Sequence, residues 1–453
     1  MAEKRSNFSG RIGFILAAAG SAVGLGNIWR FPYLAAKHGG GIFLLTYLIL
    51  AVTFGFTLLC TEIAIGRKTG KSAIDAFRQL DKRFTFVGWI AAIIPTLILP
   101  YYSVIGGWVI KYFAVFVSGN GHAAAGENYF STFIGKSFEP LAWFFIFIGI
   151  TALIVLLGVD KGIEKVSKFM MPVLIALTLF IAIYVMCMPG AMKGVVYYIK
   201  PNFKEFSFTT VLAAMGQLFY SMSIAMGIMI TYGSYMKKDI NIESSVRHIE
   251  IFDTGIAFLA GLMVIPAVFA NGNISELGAG PGLMFSTLPG VFNKMPGGQI
   301  IGAAFFILVF LAAITSSISL METVVSVLRD KLNWGRKKAC LIVFVISLIL
   351  GALSALGFGP LSMISITLKE GAMTILDMFD FITNSVLMPI VALLTCILVA
   401  YFLKPKTIIE EMNIGGRFKS VTLYKVMVKY IAPVFIVAIL IFSVLEGLDI
   451  IKV

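Results

Sequence analysis

Apolar residues run along this chain in eleven long blocks separated by short polar stretches. The blocks fall near residues 11–36, 41–66, 85–118, 141–158, 166–188, 209–235, 247–270, 299–328, 338–357, 375–402 and 424–447. A bilayer crossing needs about 20 residues, so each block is long enough to span one. The pattern predicts an all-α polytopic membrane protein of eleven transmembrane helices. Two of the blocks are interrupted at their centres. The first reads Gly20-Ser-Ala-Val-Gly-Leu-Gly-Asn-Ile-Trp-Arg-Phe-Pro32. Glycine weakens a helix by roughly 1 kcal/mol relative to alanine, so Gly24 and Gly26 around Leu25, with polar Asn27 behind them, predict a break at mid-membrane depth. The sixth reads Gly216-Gln-Leu-Phe-Tyr-Ser-Met-Ser-Ile-Ala-Met-Gly227, with small and hydroxyl residues at its midpoint.

Breaks in the first and sixth blocks predict a 5+5 repeat, with helix 11 appended. Repeat one covers about 9–190, repeat two about 205–403 and the extra helix about 424–447, all in a single integral-membrane domain, 1–453. Five is odd, so the two copies are inverted. Interrupted segments at matching positions of two repeats point to a binding site near the bilayer midplane. Freed backbone is tolerated there only if it is buried in protein or lines a cavity. The charge of Arg30 beside one break marks a functional site. The competing explanation is that these small residues line ordinary helix–helix contacts.

Composition agrees: 59% of residues are apolar and 13% charged, far from soluble domains. A net charge of +13 raises the question of a nucleic-acid partner. The distribution of charge answers it. With the N-terminus inside, 26 of the 36 Lys and Arg fall on inward segments, nine fall outside, and Arg30 is within the membrane. That is the positive-inside asymmetry. It predicts a multi-pass protein of the inner (plasma) membrane, N-terminus cytoplasmic and C-terminus outside, with no nucleic-acid partner and no cleaved signal. Cys60, Cys187, Cys340 and Cys396 show no paired spacing and read as small core residues. His38, His122 and His248 are scattered and suggest no metal site.

A split helix offers free N–H groups and positive dipole at one end and free carbonyls at the other. Around Gly20–Asn27 this suits a carboxylate at Leu25 and Gly26, and a hard cation on the carbonyls of Gly20, Ala22 and Val23. No acidic side chain lies in the break, so the solute is expected to bring its own carboxylate. Thr315, Ser316 and Ser317 place three hydroxyls together in an apolar helix. They either bond their own helix or ligate a small cation through oxygen. Gly162 and Pro172 bracket the start of helix 5, where local unwinding competes with a plain helix start. The stretch Asn271 to Gly298 holds seven glycines and three prolines and reads as an outward plug or lid.

Several stretches resemble the neurotransmitter:sodium symporters, most closely the bacterial amino-acid transporters among them. They are Gly24 to Pro32, Gly39 to Gly41, Glu62 through Gly66-Arg67, Tyr101-Tyr102 before Trp108, Gly216-Gln217, Ser234-Tyr235 and Thr315-Ser316. The resemblance implies two sodium ions as cofactors. One site would use Ala22, Asn27, Ser221 and Asp253 with the substrate carboxylate. The other would use Gly20, Val23, Ala312, Thr315 and Ser316. It further implies a substrate pocket of Ala22, Gly24, Leu25, Gly26, Ile98, Tyr102, Phe219, Tyr220, Ser221, Ser223, Met226 and Leu320. An outer gate would pair Arg30 with Asp380, and an inner gate Arg5 with Asp330. The chain departs from the family at Asp253, where asparagine is usual. Chloride-dependent members hold chloride close by, and a bacterial member has a glutamate where this chain has Ala257. Asp253 is therefore expected to supply that negative charge, unless it is merely an acid at the cytoplasmic mouth of helix 7.

The pocket residues are mostly apolar, and Met226 is adaptable. The expected activity is sodium-coupled symport of apolar L-amino acids, aliphatic and aromatic, by alternating access. A channel or a sodium-dependent substrate sensor on the same fold are the alternatives. A channel would need a continuous polar lining, and no catalytic pairing suggests an enzyme.

Overall fold

The computed structural model describes residues 7–271, 280–368, 371–448 and 450. Among them, nine helices are long and apolar enough to cross a membrane unbroken: Gly41–Thr69, Lys82–Val117, Glu139–Leu156, Val159–Met186, Ile242–Ala270, Gly298–Leu332, Arg336–Leu356, Ile375–Phe402 and Val421–Gly447. A tenth span is split into Arg11–Ala22 and Gly26–Lys37, bent by 55°. An eleventh is split into Phe208–Ser221 and Ile228–Ser234. In chain order these are spans 1 to 11, and the split ones are spans 1 and 6, as the sequence predicts. The main departure from helix is a short antiparallel hairpin, Ile366–Leu368 with Gly371–Met373, between spans 9 and 10.

Burial sorts the spans into a core and a shell. Spans 2, 3, 7 and 8 bury 61–72% of their most apolar window inside the protein, whereas span 11 buries 22%. Spans 4 and 5 bury 33% each. The split spans lie in the core, where lipid cannot reach their freed backbone. Close crossings hold them there. A Cβ on Gly66 would stand 1.9 Å from the Ile230 carbonyl oxygen, and one on Gly233 would stand 2.4 Å from that of Ile63. Small residues on both helices thus let span 2 and the second half of span 6 touch backbone to backbone. Span 3 carries Pro95 and Pro100 inside its helix, bracketing Ile98.

Span 5 starts with a wide π-helical turn, Val159–Glu164, and continues through Pro172 without a break. Gly162 has a packing reason: a Cβ there would lie 2.2 Å from the Ile154 carbonyl oxygen of span 4. The unwinding considered from Gly162 and Pro172 is absent from this conformation. Within the expected lid, residues 272–279 lie outside the described residues. The described remainder packs against span 3 and the loop that follows it. Phe285 packs edge-on against Trp108 at 5.8 Å and stacks on Phe130 at 5.0 Å, and the Tyr112 hydroxyl donates to its carbonyl at 2.8 Å.

Candidate functional site

Both helix breaks are built by residues that cannot continue a helix where they stand. In span 1, Val23 is extended (φ −72°, ψ 105°). The Asn27 side chain then turns back and accepts from the Gly24 N–H at 2.9 Å. Side chains are excluded at the two glycines: a Cβ on Gly24 would lie 2.8 Å from Ser316 Oγ, and one on Gly26 would lie 2.5 Å from the Tyr220 ring. In span 6, Ser223 (φ 53°), Ala225 (φ 65°) and Gly227 (φ 72°) adopt left-handed backbone. Such conformations cost non-glycine residues about 1–3 kcal/mol each and persist where surrounding structure imposes them. Glu62 of span 2 does so: its Oε1 accepts from the Ala225 N–H at 2.7 Å. Ser223 Oγ donates to the Ser21 carbonyl at 3.0 Å, tying the two breaks to each other.

Between the breaks lies a small cavity of about 30 Å³. Of the expected pocket residues, Ala22, Gly24, Leu25, Gly26, Ile98, Tyr102, Tyr220, Ser221, Ser223, Met226 and Leu320 all line it. Phe219 does not. It points to the other side of span 6 and packs edge-on against Phe54 at 5.5 Å, because adjacent positions on a helix face about 100° apart. The Tyr102 hydroxyl accepts from the Leu25 N–H at 3.3 Å, a long bond.

Two oxygen clusters flank the cavity. In the first, Asp253 Oδ1 accepts from Asn27 Nδ2 and from Ser221 Oγ, each at 2.7 Å, and Oδ2 accepts from the Tyr47 hydroxyl at 3.1 Å. Asp253 is fully buried. It lies eleven residues into span 7, about 16 Å from that helix's start at 1.5 Å per residue, where it meets Asn27 and Ser221 of the two breaks. Among the described residues it forms no ion pair, and a buried carboxylate needs a compensating cation or proton. In the second cluster, Ser316 Oγ lies 3.0 Å from the Ser21 carbonyl, 3.3 Å from those of Val23 and Ala312 and 3.5 Å from that of Gly20. A hydroxyl has one proton to donate. Four carbonyls converging on it form a donor set suited to a hard cation. Thr315 Oγ1 donates within its own helix, to the Leu311 and Ala312 carbonyls at 3.0 Å each, and Ser317 pairs with Thr151 at 2.9 Å.

Arg30 and Asp380 line one cavity of about 340 Å³ beyond Tyr220, on the side away from the N-terminus. They do not form the expected ion pair here. The Arg30 guanidinium lies over the Tyr220 ring at 5.4 Å, and Asp380 Oδ1 accepts from Tyr101 at 3.0 Å and Asn384 at 2.5 Å. Arg5 lies outside the described residues. Asp330 accepts from the Ser72 N–H at 2.8 Å. Sequence reasoning did not assign roles to Tyr47, Gln217 and Glu62. Gln217 Nε2 donates to the Gly26 carbonyl at 2.9 Å. A lone acid and a lone amide inside apolar blocks were the available signals.

Eleven spans, with the first and sixth split around an oxygen-rich midplane cavity, define a membrane transport protein of the broken-helix kind. The profile of the sodium:neurotransmitter symporter family matches residues 5–132 and 132–449, and the chain belongs to that family. It is similar to YhdH, an uncharacterized sodium-dependent transporter of Bacillus subtilis (strain 168), at 34% identity over 96% of this chain and 97% of that one. Similarity to the rat sodium- and chloride-dependent GABA transporter 2 is 26%, over 98% of this chain and 80% of that one. Among solved structures, the crystal structure of MhsT in complex with L-phenylalanine superposes with a TM-score of 0.86. It is 36% identical and covers 97% of this chain and 99% of that one. The chain is thus a sodium-dependent symporter of this family.

Proposed function

We propose that this protein carries apolar L-amino acids, aliphatic and aromatic, together with two sodium ions across the plasma membrane. The observation that supports this most is the pair of oxygen clusters on either side of one apolar cavity. The substrate carboxylate enters between the Leu25 N–H and the Tyr102 hydroxyl, replacing the long bond those two now share. One sodium ion binds at Asn27, Ser221, Asp253 and the Ala22 backbone, with that carboxylate as a further ligand. The other binds the carbonyls of Gly20, Val23 and Ala312 with Thr315 and Ser316. Because the carboxylate and one ion share a shell, each raises the affinity of the other. Ile98, Tyr102, Tyr220, Met226 and Leu320 take the side chain. Such a surface separates substrates by only about 1–3 kcal/mol per methylene, so selectivity is broad. The phenylalanine-bound relative is consistent with a pocket of this kind.

The N-terminus lies in the cytoplasm and the C-terminus outside. Arg30 and Asp380 close the outer path by coming together over Tyr220, and Arg5 with Asp330 closes the inner one. Sodium release inward is favoured by the membrane potential, worth about 2.3 kcal/mol per charge per 100 mV. Asp253 supplies the fixed negative charge, with fully buried Ala257 nearby, so transport needs no chloride. Uptake of labelled leucine and tryptophan into proteoliposomes tests the assignment. Accumulation of both only under an inward sodium gradient is expected; equal accumulation without sodium, or none of either, refutes it.

A further inference from the structure

Span 5 carries a stripe of exposed residues at helical spacing: Phe169, Pro172, Ala176, Phe180 and Ile183. Phe169 is 71% exposed and Ile183 56%. In a membrane protein such a stripe faces lipid chains. Toward the N-terminal side the same stripe ends in exposed Lys165 and Lys168. These lysines are therefore at headgroup level. Beside them is a cavity of about 430 Å³, lined by Ser9, Asp160, Lys161, Glu164, Lys165 and Lys168. Lys168 is held by Glu164 at 2.5 Å, and Asp160 offsets one of the other two lysines, which leaves one uncompensated positive charge. Lys237, which donates to the Ser9 carbonyl at 2.8 Å, adds to it.

We infer that this cavity binds the phosphate of an anionic phospholipid whose chains lie along the exposed face of span 5. The negative phosphodiester is complementary to this excess of positive charge. The continuous apolar stripe favours a lipid over a soluble phosphate, which has no use for it. The phosphate also competes with Glu164 for Lys168. Glu164 accepts from the Ser9 N–H at 2.8 Å, and the neighbouring Phe8 is fully buried against Phe14 and Tyr232. Lys168 itself donates to Ser9 Oγ at 3.3 Å, so a headgroup that draws Lys168 away removes that tie and loosens the segment carrying Phe8.

The test is native mass spectrometry of the purified full chain titrated with phosphatidylglycerol, alongside hydrogen exchange over residues 8–14. Binding is read directly, so the result does not depend on whether the substrate assignment is correct. The double variant Lys161→Gln/Lys165→Gln should bind about 25-fold more weakly, at about fivefold per lysine. Lys337→Gln/Lys338→Gln, an equal loss of charge on the same face, should bind as the parent does. Exchange over residues 8–14 should rise with the lipid in the parent and stay flat in the first variant. Equal weakening in both variants, or displacement of the lipid by equimolar glycerol phosphate, overturns the site. Exchange that does not change with lipid overturns the coupling to Phe8.

Discussion

Replacing Asp253 by asparagine removes one negative charge and nearly preserves the side chain's shape. One amide oxygen can still accept from Asn27 and Ser221, as Oδ1 does now at 2.7 Å. The other arm becomes an N–H₂ facing the Tyr47 hydroxyl, which can turn to accept. Folding should therefore survive, and the loss should fall on the ion. A carboxylate about 4 Å from a cation contributes roughly 4 kcal/mol at an effective dielectric constant of about 20. The retained amide oxygen keeps part of this, so about 3 kcal/mol, or roughly a hundredfold in sodium affinity, is the expected cost. The assay is the sodium concentration for half-maximal leucine uptake in proteoliposomes, measured in chloride and in gluconate. The parent should show the same curve in both anions. The variant should need roughly a hundredfold more sodium in gluconate and recover part of that in chloride. A parent whose uptake collapses in gluconate, or a variant within about twofold of the parent, refutes the reasoning.

Three further outcomes follow from the geometry. Gly26→Ala should cut uptake at least tenfold, since its Cβ would press on the Tyr220 ring at 2.5 Å and overpacking costs about 1–3 kcal/mol; Gly149→Ala, with open space around it, should transport normally. Glu62→Ala should lower the melting temperature by removing the acceptor for the Ala225 N–H, a loss of about 1–3 kcal/mol, while Glu62→Gln keeps an acceptor and melts near the parent; equal melting of all three would remove Glu62 from the break. His38 lies just past span 1, and burial first, then neighbouring Lys37, pushes its imidazole down to about 4. The unfolded chain then binds this proton more tightly than the folded one, so the parent should lose stability as pH falls from about 6.5 toward 4, and His38→Gln should lose less over that interval.

The spans were legible because burial in lipid demands unbroken apolar length, and both breaks were legible because glycine and hydroxyl residues gather at their centres. Eleven of the twelve expected pocket residues line the cavity, since they cluster in short runs around those breaks. Phe219 does not line it, because adjacency in sequence turns a side chain to another helix face. The expected pairing of Arg30 with Asp380 is replaced here by contacts to Tyr220, Tyr101 and Asn384; under the proposed gating the pair forms only when the outer path closes, which sequence does not encode. Glu62 and Tyr47 sit on span 2, far from either break along the chain. Only packing brings their oxygens to Ala225 and Asp253.

Leucine binding to the purified protein, by equilibrium titration in sodium buffer and again in potassium buffer of equal strength, examines the shared shell of ion and solute most directly. Saturable binding in sodium that weakens at least a hundredfold in potassium is the result expected. Equal affinity in the two buffers would mean that the oxygen clusters beside the cavity do not hold the ion that the solute needs.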